Sequence, residues 1–375
     1  MRRDITRRRI LPIDVMPLPL RPSDPVVSRP SALLSRPSCR FALALLIGAI
    51  AALLCVAIGT PLPWMIGPLF ATAGLRMAGV PLHCPVPARE AGQWVIGTAL
   101  GLYFTPVVIG VLMSKAAFIV LGVVFALLLG AGCAWLLRRL TGIDAVTAFF
   151  AMAIGGASEM AVQGERHGAL VDRVAAAHSL RLMMVVAILP FAFQLSGVKG
   201  LDPYSPAASI VHAGGLMLLV ALTSVAALCL RRIGAPNAWV IGPLLMTIGL
   251  TANGYNFSAL PGWMIAGGQL LIGISLGTRF TPAFLRTAPR FLGGVAICTL
   301  AAIIVAAGFG LLVAWLSGMH VATAILATSP GGIAEMSLTA KTLELGVPIV
   351  TAFHVTRMAT LVLTIAPLFR LFQRA

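Results

Sequence analysis

Acidic side chains are scarce in this chain. Asp and Glu together number 11 in 375 residues, and all charged residues amount to 10%, where water-soluble domains carry about 25%. So few carboxylates cannot solvate the surface of a soluble protein of this size, which excludes a cytosolic enzyme and a charged disordered chain. Cysteines are few and scattered: Cys39, Cys55, Cys84, Cys133, Cys229 and Cys298 include no C-x-x-C spacing. That excludes a disulfide framework and leaves small hydrophobes in helices. The six histidines (His83, His167, His178, His212, His320, His354) include no i,i+3 or i,i+4 pair, so no helical metal site is expected. No Gly-rich loop ends in Gly-Lys-Ser/Thr, and no helix-turn-helix or zinc finger is readable. The expectation is therefore no ATP-driven step within the chain, no nucleic-acid partner, no metal, no cofactor and no catalytic residue.

What is abundant is apolar. Hydrophobic residues make up 59% and mean hydropathy is +0.98, which points to an all-α polytopic membrane protein whose helices each need about 20 apolar residues to cross. The net charge of +16 is localised: nine of the 27 basic residues lie between Arg2 and Arg40. Residues 1–40, rich in Arg, Pro and Ser, are read apart from the rest. Their proline content opposes a regular helix, and they fit either a basic tail on anionic lipid or a disordered extension ahead of a start at Met16. A secretory signal is not expected, because no small-residue cleavage site follows the apolar run 41–58.

Beyond the tail the chain is written twice, as repeat 1 (41–200) and repeat 2 (206–375). Trp64-Met65-Ile66-Gly67-Pro68-Leu69 returns as Trp239-Val240-Ile241-Gly242-Pro243-Leu244 at an offset of 175. Gly92-Gln93, Gly97, Gly101 and Phe104-Thr105-Pro106 return as Gly268-Gln269, Gly273, Gly277 and Phe280-Thr281-Pro282, now at 176. The same step carries Gly155-Gly156-Ala157-Ser158-Glu159-Met160 onto Gly331-Gly332-Ile333-Ala334-Glu335-Met336, and His178 and Arg181 onto His354 and Arg357. Four matches in order at a near-constant offset mark a duplication.

Each repeat reads as six apolar segments, near 41–58, 63–79, 93–111, 115–137, 145–162 and 174–195, then 208–230, 238–252, 263–280, 291–316, 320–338 and 346–369. The fifth of each is short, interrupted by Gly-Gly and carries an acid, the features of a re-entrant or broken helix. If it dips and returns, each repeat crosses five times and the second is inverted. Arg76, Arg89, Arg138, Arg139, Arg166, Arg173, Arg231, Arg232, Arg286, Arg290, Arg370 and Arg374 then fall inside, and Lys115, Lys199 and Lys341 outside, as the positive-inside rule requires. Arg279 in place of Tyr103 fits two ends facing different compartments. Both termini are expected in the cytoplasm of a bacterium, with the chain in its inner membrane.

An acid within an apolar segment is a functional-site hypothesis. Glu159 and Glu335 are the clearest cases, and the simplest arrangement pairs each with Arg181 or Arg357. His178 and Arg181 share one helix face, as do His354 and Arg357. Two facing Gly-Gly breaks, Gly155-Gly156 and Gly331-Gly332, would expose backbone dipoles in a polar pocket, to which Ser158 and Ser329 add hydroxyls. Such a pocket suits a small anion or carboxylate, with Glu159 or Glu335 carrying a proton. The structural alternative is that these groups lock the packing of the halves. Gln93 and Gln269 are explained equally by interhelical hydrogen bonds, and Gly97/Gly101 and Gly273/Gly277 by close helix packing. Pro68 and Pro243 serve a gate or fix a crossing angle, while Trp64, Trp239 and Trp263 suit the interface.

The duplicated Trp-x-Ile-Gly-Pro-Leu, Gly-Gly-x-x-Glu-Met and His-x-x-Arg blocks together resemble the bacterial AbrB-type membrane family, sometimes labelled an ammonia monooxygenase, over about 41–372. The resemblance implies a multi-pass inner-membrane protein, with one member linked to control of gene expression. The small soluble DNA-binding family of the same name has no likeness to this chain. Ile154 stands where the second copy has Pro330, which predicts a less sharp bend in the first break. The leading expectation is a secondary transporter of a small organic anion or metabolite, using a midplane site at the repeat interface; a homo-oligomer is left open. The rival is a membrane regulator or sensor that moves no solute. A membrane monooxygenase is the remote third, since copper or iron ligand patterns are missing.

Overall fold

The computed structural model describes residues 36–200, 204, 206–282 and 289–374. The basic tail up to residue 35, Arg286, and the side chains of Ser158, Arg370 and Arg374 lie outside the described residues. Among the described residues all regular structure is helical. The first half holds α1 (Pro37–Ala57), α2 (Pro63–Met77), α3 (Val86–Gly101), α4 (Pro106–Ser114), α5 (Ala116–Thr141), α6 (Ala145–Met152), α7 (Ala157–Arg166) and α8 (Val171–Leu195). The second holds α9 (Ala213–Arg232), α10 (Ala238–Ala252), α11 (Gly262–Gly277), α12 (Pro289–Ser317), α13 (Val321–Thr328), α14 (Ile333–Thr342) and α15 (Val347–Arg374).

Proline opens many of these helices. Pro37, Pro63 and Pro106 sit in first turns, where the missing N–H costs nothing and φ is already helical. For this reason α1 starts inside the Pro-containing stretch 1–40. Pro68 and Pro243 lie within α2 and α10, yet both helices run on through them.

Among the described residues six helices are long and apolar enough to cross a bilayer, three in each half: α1, α5, α8, α9, α12 and residues 347–365 of α15. The chain is thus a membrane protein by its helices. Exposed apolar side chains such as Leu46, Ile50, Leu53 and Leu54 on α1 suit contact with lipid. The ten full crossings expected from sequence are not all met by length. α2 and α10 have 15 residues and α3 and α11 have 16, roughly 22–24 Å against about 30 Å of hydrocarbon. The segment 93–111 is two helices, α3 and α4, bent by 86°. Thr105 caps α4 by accepting from the Val108 N–H.

The four short helices pack on one another, α2 on α11, α3 on α10 and α3 on α11, with α1 and α9 outside α2 and α10. The other long helices gather around the broken segments, α5, α6, α7 and α8 with α12, α13, α14 and α15. These two sets touch mainly where α3 and α4 meet α14 and α15, and one buried apolar cluster runs through both. Glycines set the closest crossings. A Cβ at Gly97 would overlap the Val240 carbonyl, and one at Gly273 the Met65 carbonyl. Gly67 lies against the Ala51 backbone and Gly242 against Ala227, so the Ile-Gly-Pro blocks are packing surfaces here.

Each fifth segment is an eight-residue helix, a break and a ten-residue helix: α6 and α7, then α13 and α14. The arms have the same lengths in the two copies, with Ile154 at the first break and Pro330 at the second. Thr147 Oγ1 on α6 accepts from the Leu170 N–H beyond α7, and Thr323 Oγ1 on α13 accepts from the Gly346 N–H beyond α14. The two ends of each element are therefore tied together, and each is a hairpin. Arms of eight and ten residues span about 12 and 15 Å, half the depth of a bilayer core.

Candidate functional site

The repeated motifs are local devices for holding the hairpin tips. At the end of α6 the last carbonyls have no helical acceptor role. Arg181 on α8 donates to the carbonyls of Ala153 (3.0 Å) and Met152 (3.5 Å), and to His178 Nδ1 (2.9 Å). Because Nδ1 accepts, His178 carries its proton on Nε2, which donates to the Phe150 carbonyl (2.9 Å). His178 and Arg181 together thus cap the C-terminus of α6, where positive charge also complements the helix dipole.

The second arm starts with the acid. Glu159 and Glu335 stand in the first turns of α7 and α14 and fold back onto their own backbone N–H groups, where a negative charge also complements the helix N-terminus. Space for that turn comes from glycine: a Cβ on Gly156 or Gly332 would strike the Glu159 or Glu335 carboxylate. Gly155 and Gly331 face the Met160 and Met336 side chains in the same way. Gly156 and Gly332 have φ of −66° and −89°, so they are required for room and not for a left-handed backbone. This corrects the expectation that Glu and Arg form ion pairs. Each guanidinium is committed to helix carbonyls, and each carboxylate to a helix N-terminus.

The second copy departs from the first in one carbonyl held by the arginine and in every partner of the histidine. Arg357 donates to the carbonyls of Ser329 (2.7 Å) and Gly331 (2.5 Å). The Leu326 carbonyl, which corresponds to Phe150, is taken by the Ser329 hydroxyl (2.8 Å). His354 has turned to its own helix, with Nδ1 donating to the Val350 carbonyl (2.9 Å), and its Nε2 is buried with no partner.

Both hairpin tips meet at a cavity of about 150 Å³. From the hairpin set come Gly155, Gly156, Gly331, Gly332, Glu335, Arg181, His354 and Arg357. From the short-helix set come Arg89, Gln93, Asn237, Ser275 and Arg279, with apolar Val240, Ile272 and Leu276 between. Arg279 is the cation whose field acts on Glu335. Four arginines against one carboxylate leave the wall strongly positive. A wider recess of about 480 Å³ adjoins it, sharing Arg89, Gln93 and Asn237 and lined further out by Glu159, Gln163, Arg166 and Arg231. In that recess Arg231 pairs with Glu90 at 3.6 Å, and the Glu159 carboxylate lies against the Asn237 backbone N–H.

A family model described as "Transition state regulatory protein AbrB" matches residues 64–373, most of the chain and all of the cavity wall. The chain belongs to the AbrB family. It is 25% identical over 354 residues to "Uncharacterized protein YhjN" of Bacillus subtilis (strain 168), covering 84% of this chain and 88% of that protein. It is 26% identical over 317 residues to "Putative regulator AbrB" of Escherichia coli (strain K12), covering 82% and 89%.

In this AbrB-family chain the sequence-predicted residues divide by position. Gly155, Gly156, Arg181, Gly331, Gly332, Glu335, His354 and Arg357 line the cavity, whereas His178 and Ser329 stand behind it as helix caps and Glu159 faces the recess. Gln93 reaches both hollows, and Gln269 lines neither. The sequence reading missed Arg89, Asn237, Ser275 and Arg279. Arg89 is one helical turn before Gln93 on α3, a signal hidden by its assignment to a loop. Arg279 was read as facing a compartment, and instead lines the cavity, half-buried, together with Glu335.

Proposed function

We propose that this protein is a secondary transporter of a small organic anion, moving its ligand unchanged through the cavity between the hairpin tips, with no catalytic step. The observation that carries the reading is an arginine-rich hollow bounded on one side by both broken helices and on the other by the short helices. Guanidinium groups are suited to carboxylates, and discontinuous helices at mid-depth present backbone N–H groups to an anion. The two sets of helices touch sparsely, so one can shift against the other around the ligand. The wider recess is the access route on the side of Arg166 and Arg231, which basic loops make the cytoplasmic side of a bacterial inner membrane.

Two inverted repeats belong to the same proposal. Reciprocal contacts support them: Gly97 on Val240 is mirrored by Gly273 on Met65, and Gly101 on Thr247 by Gly277 on Thr72, as a two-fold relation requires. With the hairpins re-entrant, each half crosses five times, the short helices being completed within the protein. Cysteines placed singly at Arg166 and Thr342, after the two hairpins, should react with an impermeant thiol reagent from opposite faces of the membrane. Labelling from the same face would refute the inversion.

Transport is tested by reconstituting the full chain in liposomes and following uptake of radiolabelled C3–C5 carboxylates. Uptake should fall at least ten-fold in Arg279→Gln, while thermal melting stays near wild type, because Arg279 holds no helix carbonyl. Failure of every acid to accumulate would sink the transporter reading. The name of the Escherichia coli relative favours a second reading, a regulator of gene expression. If regulation follows solute, Arg279→Gln abolishes both effects together; loss of uptake with regulation intact would favour a regulator that needs no transport.

A further inference from the structure

Resting on the anion-site reading, we propose that the cavity selects a small hydroxy-dicarboxylate, with His354 Nε2 as the acceptor that reads the hydroxyl and Ser329 as the positioning residue that frees it. The first observation is the orphaned ring nitrogen. His354 is fully buried, lines the cavity and offers Nε2 to nothing. With Nδ1–H donating to the Val350 carbonyl, Nε2 of the neutral ring is an acceptor and needs a donor. A buried acceptor without one is costly, so a ligand lacking a proton to give is disfavoured.

The second observation explains why only one histidine is available. At the matching position His178 is consumed by the Phe150 carbonyl. In the second half the Ser329 hydroxyl occupies the Leu326 carbonyl, whereas its counterpart Ala153 has no hydroxyl to do so. The Ala-to-Ser difference, beside the change from Ile154 to Pro330, therefore accompanies the conversion of a helix cap into a ligand-facing acceptor.

Charge and size complete the assignment. Arg181 spends its terminal nitrogens on the end of α6 and on His178, and Arg357 on the carbonyls of Ser329 and Gly331, while Arg89 and Arg279 line the cavity with no hydrogen bond to the described residues, one for each of two carboxylates. A cavity of about 150 Å³ is the size that encloses a benzene ring, which fits a four-carbon acid. The positive excess opposes an ammonium group, so the donor that meets His354 is a hydroxyl.

The test compares malate, succinate and aspartate, which share a skeleton and differ in one substituent, by thermal-shift titration of the purified full chain. Wild type should bind malate about ten-fold or more tightly than succinate, and aspartate most weakly. In Ser329→Ala, His354 regains the Leu326 carbonyl, and the malate-to-succinate ratio should fall toward one with succinate affinity retained. His354→Phe should act alike. Equal affinities for malate and succinate in wild type, tighter binding of aspartate, or no stabilisation by any of the three would overturn the proposal. Discrimination in binding without uptake would refute transport and leave this inference standing. Arg279-dependent uptake with equal affinities would do the reverse.

Discussion

Arg357→Leu should melt far below wild type in detergent and lose all ligand-induced stabilisation. The substitution removes the donors to the Ser329 and Gly331 carbonyls at the hairpin tip. Each buried carbonyl left unpaired costs about 1–3 kcal/mol, and the tip of α13 carries two. Arg357→Lys should be intermediate, because an ammonium is a point charge and lacks the planar fork that spans two acceptors. Arg181→Leu should show the same loss at α6, where His178 remains but loses the Arg181 donor to its Nδ1. The decisive comparison is with Arg279→Gln. If Arg357→Leu were as stable as Arg279→Gln, the helix-capping role assigned to the His-x-x-Arg motif would be wrong.

Gly97→Ala should be nearly as damaging, although it adds one methyl group. The new Cβ would overlap the Val240 carbonyl, with the Val240 Cα 3.2 Å away, and backbone atoms cannot rotate aside. α3 and α10 must separate, and over-packing of this kind costs about 1–3 kcal/mol or more. Gln93 on α3 and Val240 on α10 both line the cavity, so ligand affinity should fall together with the melting temperature. Gly273→Ala should repeat the effect against the Met65 carbonyl. Gly132→Ala is the control: it lies within α5 with open space at its Cβ and should be neutral or slightly stabilising. A control and a Gly97 variant that melt alike would show that close approach of α3 and α10 is not what fixes the crossing.

Much of the architecture is legible without coordinates because it rests on local and additive properties. Eleven acids in 375 residues and long apolar runs demand a membrane helix whatever the fold. Gly-Gly with Glu three residues on marks each break, since the motif closes on itself: glycine makes room, the carboxylate caps the next helix, and Met fills the gap. Pairing across the molecule was not legible. The charge rule suggested Glu with Arg, but it holds no information about the helix-end carbonyls that compete for the same guanidinium groups. Arg89 looked like a loop charge and Arg279 like a segment end facing a compartment, because a sequence does not state that α3 and the residues after α11 turn toward the same hollow.

The two halves illustrate the boundary best. Repetition of His-x-x-Arg at a constant offset was plain in the sequence, and that repetition suggested equivalent roles. Only the tertiary structure separated them. Whether a buried ring nitrogen caps a helix or faces a cavity depends on which donor reaches a carbonyl first, and in the second half the Ser329 hydroxyl is already there. Sequence alone determined the membrane class and the places where helices break, because apolar content and glycine spacing act within one segment. Packing decided which polar atoms were left over, because satisfaction of a hydrogen bond depends on every neighbour within about 3 Å.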